Sequence, residues 1–135
     1  MDGTVRSSMA ASKEEGATRQ IVAAIEAFVR GDFDVAITLA GAAEGMLERE
    51  GTTLFRFVVE HPKVASANPE KEIIPTINAE RDWLKHTSGP EPVQITRAAA
   101  AFMIVRAASK ITEWPPIVWS FRDWIIANLD ALGED

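Results

Sequence analysis

The segment Asn78-Ala79-Glu80-Arg81-Asp82-Trp83-Leu84-Lys85-His86 concentrates the side chains of this sequence that could do chemistry. On a helix, Ile77, Arg81 and Leu84 fall on one face, so a guanidinium emerges from an apolar stripe. Such a group is partly desolvated and needs an acceptor. Asn78, Asp82 and His86 recur at four-residue spacing on the adjacent stripe, where Asp82 can orient or charge the His86 imidazole across one turn. His86 also stands at the helix end, where the dipole favours imidazolium. An arginine that binds anionic oxygens beside a histidine that moves protons makes a phosphate-handling pair. The same residues have a plainer use, and a commoner one: a helix-terminal histidine preceded by an aspartate serves as a cap and salt bridge.

The elements that must position this segment are helices. Ser12 can cap a first helix, with Glu15 three residues on completing a capping box. Ile21, Ile25, Phe28 and Val29 recur at helical spacing up to a stop at Gly31. A second helix follows, capped by Asp32 or Asp34. Its expected apolar stripe is Val35, Leu39, Ala42, Ala43, Met46 and Leu47, and its other core-side positions, Ala36, Ala40, Gly41 and Gly45, are small and admit a close neighbour. So short a link implies an antiparallel hairpin, and Gly51 is the expected end of the second helix. Thr52 to Glu60 fits either a short helix or a short strand and is taken as helix, ended by His61-Pro62, with loop over Lys63 to Ala67. Asn68-Pro69-Glu70 opens a helix that Pro75 should break or kink, with a further helical piece from Thr76 to His86. Thr87-Ser88-Gly89-Pro90 is a stop. Pro92 is expected to open the most buried helix, through Ile95, Ala98, Ala99, Phe102, Ile104, Val105 and Ala108. After Trp114-Pro115-Pro116, Ile117 to Leu129 forms the last helix, with Gly133 and the acidic end frayed. The expectation is all-α: an up-down helical bundle of about five helices, with residues 1–11 as a flexible tail and 12–131 as a single domain.

Composition narrows the functions open to such a bundle. The 135 residues suit one domain, and the chain has no cysteine, which excludes disulfides, thiolate metal sites and cysteine nucleophiles. That absence fits a cytoplasmic setting. No apolar stretch is long enough to span a bilayer, since Ala98 to Val105 is bracketed by Arg97 and Arg106. The net charge of −6 repels a nucleic-acid backbone over long range. His61 and His86 could supply two metal ligands, but nothing fixes their spacing, so no metal is assigned, and no cofactor motif is present. Trp114, Trp119, Phe121 and Trp124 could line a ligand pocket or stack on bases, but the commoner use is a core or a dimer seam, with the indole N–H finding a carbonyl. Arg122-Asp123 reads as a solvated pair, as do the charge runs Lys13-Glu14-Glu15 and Glu48-Arg49-Glu50, and Arg106 wants an acid from another helix.

An arginine, four intervening residues and a histidine, with a polar residue straight after the arginine, is the signature of the HEPN superfamily. Here it reads Arg81-Asp82-Trp83-Leu84-Lys85-His86. The small-residue-rich segment from Asp34 to Leu47 is similar to the helix that begins those bundles, and the order of hairpin, motif helix and long closing helix agrees. The stretch from about Arg19 to Leu129 resembles uncharacterised bacterial proteins of this layout. The resemblance implies a homodimer that brings two motif helices together. Many relatives are metal-independent ribonucleases of toxin or defence type. By that analogy Arg81 holds the scissile phosphate, His86 acts as acid or base on the ribose hydroxyl, and Asp82, where many relatives have Asn, orients the pair. Other relatives serve only in binding or assembly. Some toxins carry a modifiable tyrosine two residues after the histidine; that place is Ser88 here, and the chain has no tyrosine. The acidic balance and Asp82 favour the non-catalytic binding module, with RNA, a nucleotide or a protein as its candidate partners, over the ribonuclease.

Overall fold

The computed structural model describes residues 3–48 and 70–135. Over these residues the protein is all-helical, with six helices and no strand. The segment Thr52 to Glu60, His61-Pro62, the loop Lys63 to Ala67, and Asn68-Pro69 lie outside the described residues.

Residues 3–12 precede the first helix and are exposed. Helix α1 (Lys13–Arg30) begins where the sequence places it: the Ser12 hydroxyl accepts the Glu15 N–H at 3.1 Å and donates to the Glu15 carboxylate at 3.2 Å. It ends on Gly31 at φ +85°, a left-handed conformation that glycine adopts without strain, and the Asp32 amide reaches back to the Ala27 carbonyl at 2.9 Å. Helix α2 (Phe33–Gly45) follows at once. Met46, just past its end, lies against Gly16 near the start of α1, so the two helices run antiparallel.

The buried face of α2 keeps the expected core-side residues Ala36, Ala40, Gly41 and Ala43 and departs from the expected stripe elsewhere. Ala36, Ile37, Ala40, Gly41 and Ala43 point inward, whereas Val35 is 43% exposed and Ala42 faces out. Four of these five inward residues are small, which admits close packing against α1 and the central helix. Helix α2 also stops at Gly45, short of Gly51. Its end is set from elsewhere in the chain: the Lys110 ammonium donates to the Glu44 and Leu47 carbonyls at 3.2 and 3.3 Å, satisfying oxygens that a helix terminus leaves open.

Helix α3 (Glu70–Lys85) carries the Arg81 segment as one helix, so Pro75 does not break it. A proline removes a single backbone bond, which leaves a kink as the milder of the two expected outcomes. Helix α4 (Arg97–Ala108) is buried from Ala98 through Val105 and packs on every other described helix, so it is the axis of the bundle. It starts at Arg97, not near Pro92, because Thr96 is the better cap: its hydroxyl accepts the Ala99 N–H at 3.1 Å. The Glu80 carboxylate of α3 accepts the Thr96 N–H at 3.1 Å and the Thr96 hydroxyl at 3.4 Å, tying α3 to the start of α4.

Burial raises the Glu80 carboxyl above the ordinary glutamate range, against the two hydrogen bonds from Thr96 that act to lower it. A carboxyl that holds its proton more tightly folded than unfolded contributes stability as pH falls through that range, and the contribution is lost as pH rises. Glu80→Gln keeps an acceptor for the Thr96 N–H. At neutral pH this variant is expected to match the parent or exceed it by no more than about 1 kcal/mol. The difference should shrink as acid protonates Glu80. Urea denaturation at neutral and mildly acidic pH checks this; a variant clearly weaker at neutral pH would mean that the charge itself holds Thr96.

Helix α5 (Pro116–Ala127) and the short α6 (Leu129–Gly133) replace the single last helix expected from Ile117 to Leu129. Asn128 divides them, its side-chain amide donating to the Trp124 carbonyl at 2.8 Å. The acidic end is docked rather than frayed: Leu132 is fully buried, and Asp135 grips Arg97 through paired contacts of 2.9 and 3.0 Å. Glu14, expected on a solvated face, accepts the Thr112 N–H and hydroxyl at 2.7 and 3.0 Å across 98 residues of sequence.

Candidate functional site

Ile77 is buried and Leu84 packs against the core, so α3 presents Arg81 inward between them, as the helical spacing predicts. The stem of Arg81 crosses Gly41 of α2. Its Cγ and Cδ would lie only 3.1 Å from a Cβ at that position, so glycine makes the channel through which the guanidinium passes.

At the end of that channel lies Glu44. Arg81 Nη1 approaches one carboxylate oxygen at 3.9 Å, while Arg106 Nε and Lys110 Nζ of the central region approach the other at 3.9 and 3.2 Å. The four side chains are between 13% and 21% exposed, which makes this a part-buried charged knot joining α2, α3 and α4. Arg106 is the most withdrawn member. Its Nε is buried without a hydrogen-bond partner among the described residues, and its Nη2 donates only to the Met103 sulfur at 3.5 Å. Burial lowers the Arg106 pKa; Glu44 acts against this, the neighbouring Arg81 charge adds to it, and Asp82 opposes it. Asn78 Oδ1, one turn before Arg81, is likewise buried without a hydrogen-bond partner among the described residues.

Arg81 and Asp82 are brought together: Nε and Nη2 donate to Asp82 Oδ1 at 3.3 and 3.2 Å. The expected link from Asp82 to the His86 ring is not formed; Asp82 Oδ1 is on Arg81 instead. His86 lies one residue past α3, with its backbone N–H on the Asp82 carbonyl at 3.1 Å. Its exposed ring makes no hydrogen bond or ion pair among the described residues. Within one chain, therefore, Arg81 faces the Glu44 knot and His86 faces solvent.

The stop after His86 also clasps the motif helix. The Trp83 indole N–H donates to the Pro90 carbonyl at 2.9 Å, and Gly89, at φ +125°, lies where an added Cβ would meet that ring at 2.8 Å. The tryptophans near the carboxyl end divide between two settings. Trp114 donates to the Ala108 carbonyl at 2.9 Å and packs edge-on against Trp119, which is exposed beneath the Arg122 guanidinium. Phe121 is buried and Trp124 partly so, both against Phe28. Arg122 and Asp123 form the expected surface pair at 2.7 Å.

Glu44 is the member of the site that the sequence did not disclose. The available signals were an inward arginine on α3 and another on α4, each wanting an acid. Glu44 stands three residues beyond Gly41, on the face of α2 that the small residues turn inward. Among the described residues no group of three or more histidines and acids is gathered as metal ligands, and no helix is long and apolar enough to cross a membrane. No protein family, curated protein or solved structure matches the chain.

Proposed function

We propose that this protein is a HEPN-like helical bundle acting as a homodimeric, non-catalytic binding module in the cytoplasm. One observation carries the non-catalytic part: Arg81 is drawn into the Glu44 knot and shared with Asp82, while the His86 ring stands apart in solvent. Phosphodiester cleavage requires a cation and a proton-transfer group within hydrogen-bond reach of one phosphate. Helical positions five residues apart diverge by roughly 140° and about 7.5 Å along the axis, so one chain does not join them easily. The pairing of two copies is carried over from the HEPN resemblance.

The second reading is a metal-independent ribonuclease in which Arg81 of one copy meets His86 of another. The unengaged His86 ring and the excess of cations over carboxylates around Glu44 favour it. Incubation of a mixed RNA pool without metal separates the two. The expected result is equal, negligible cleavage by the parent, Arg81→Ala and His86→Ala. Cleavage by the parent that falls at least about a hundredfold in both variants would establish the ribonuclease instead, that being the usual weight of a general acid or base. Sedimentation of the parent tests the dimer; a monomer at all concentrations would remove it from both readings.

A further inference from the structure

Away from the Glu44 knot, the end of α1 and one side of α5 enclose a cavity of about 550 Å³. This lies within the roughly 300–1,000 Å³ range of small-molecule sites. Its body is aromatic. Phe28 meets Phe33, Phe121 and Trp124 with ring centroids 5.5, 5.4 and 5.4 Å apart, in tilted and edge-on arrangements. Its charge is one-signed: Arg30 and Arg97 contribute to the lining, and no acidic residue does.

The two arginines differ. Arg30 is an outer surface group paired with Asp32 at 3.2 Å. Arg97 presents Nε and Nη2 as a fork to the two oxygens of Asp135, at 3.0 and 2.9 Å. That bidentate geometry is the one a guanidinium offers to any carboxylate. With 38% of its side chain exposed, Arg97 can exchange one carboxylate for another.

We propose that this cavity binds a small amphipathic carboxylate, with its apolar body among Phe28, Phe33, Phe121 and Trp124 and its carboxylate on Arg97 in place of Asp135. An apolar guest matches the rings, and an anionic head matches the only sign of charge at the lining. A neutral guest would leave the Arg97 fork on Asp135 and gain nothing from it. The site shares no residue with the Glu44 knot, so it does not depend on whether that knot takes part in RNA cleavage.

Calorimetric titration of the whole chain with 2-naphthoate and with neutral 2-naphthamide tests this. Naphthoate should bind one per chain and more tightly than the amide, by a small margin in the parent because one bidentate carboxylate contact replaces another. Arg97→Gln should erase that preference, and Asp135→Asn, which releases the fork, should tighten naphthoate severalfold. Ser120→Trp, placing bulk at the lining, should abolish binding of both compounds. The comparison of acid with amide on the unaltered chain stands even if a variant misfolds. Equal affinity for the two compounds, or a preference that survives Arg97→Gln, would overturn the proposal. So would failure of naphthoate to bind, including the case where sedimentation shows the cavity filled by a second copy.

Discussion

Glu44→Gln is expected to destabilise the protein by about 2–3 kcal/mol, although it changes one part-exposed side chain. Removing one partner of a buried ion pair costs about 3–5 kcal/mol, because the charge left behind is neither solvated nor paired. The members of this knot keep between 13% and 21% of their side-chain exposure, and two of the contacts are 3.9 Å long, which argues for the lower figure. What raises it again is number: Arg81, Arg106 and Lys110 all converge on this one carboxylate. Arginine does not relieve the strain by shedding its proton. Asp82 compensates little, since an exposed ion pair contributes about 0–1 kcal/mol. Urea denaturation measures the loss. Two further results follow from its electrostatic origin. Added salt should recover part of the stability, because it screens the three cations from one another. Arg106→Met placed in the Glu44→Gln background should recover more, since it removes the most desolvated of them. A loss below about 0.5 kcal/mol, the level of an ordinary surface change, would mean that Glu44 is not the hub.

Ile104→Ala should cost more, about 3–4 kcal/mol, and lower the melting temperature by roughly 10–15 °C. Ile104 is fully buried on α4, the helix that touches every other described helix. The cost of a large-to-small substitution depends on how far the surroundings can collapse into the space left behind. On its own helix the residues one turn from Ile104, namely Ala100, Ala101, Ala107 and Ala108, are buried and carry no long side chain to swing inward. Val29→Ala is the internal comparison: Val29 is 78% exposed, and its truncation should change stability by less than about 0.5 kcal/mol. Thermal melts of the two variants beside the parent decide the matter. A similar small shift in both would show that α4 is not the load-carrying axis of the core.

What the sequence determined alone was local, because it rests on groups three or four residues apart. Ser12 and Glu15 start α1 through contacts within one turn, and Gly31 ends it because its backbone accepts a left-handed conformation. The burial of α4 was legible from a helix apolar on nearly every side, and the inward Arg81 from its place between Ile77 and Leu84. The tertiary structure decided whatever depended on a neighbour. Val35 and Ala36 are both expected on the core side of α2, and packing kept Ala36 inward and turned Val35 out. Thr96 became the start of α4 with Glu80, sixteen residues earlier, holding its amide and hydroxyl. Glu44 became the partner of Arg106 because three helices brought them together. Asp82 could have served either His86 or Arg81 from its place on the helix, and it turned to Arg81, held in its channel over Gly41. Local hydrogen bonding and periodicity are written into neighbouring residues, whereas the choice among equally apolar faces and equally charged partners is made by packing between segments far apart in the chain.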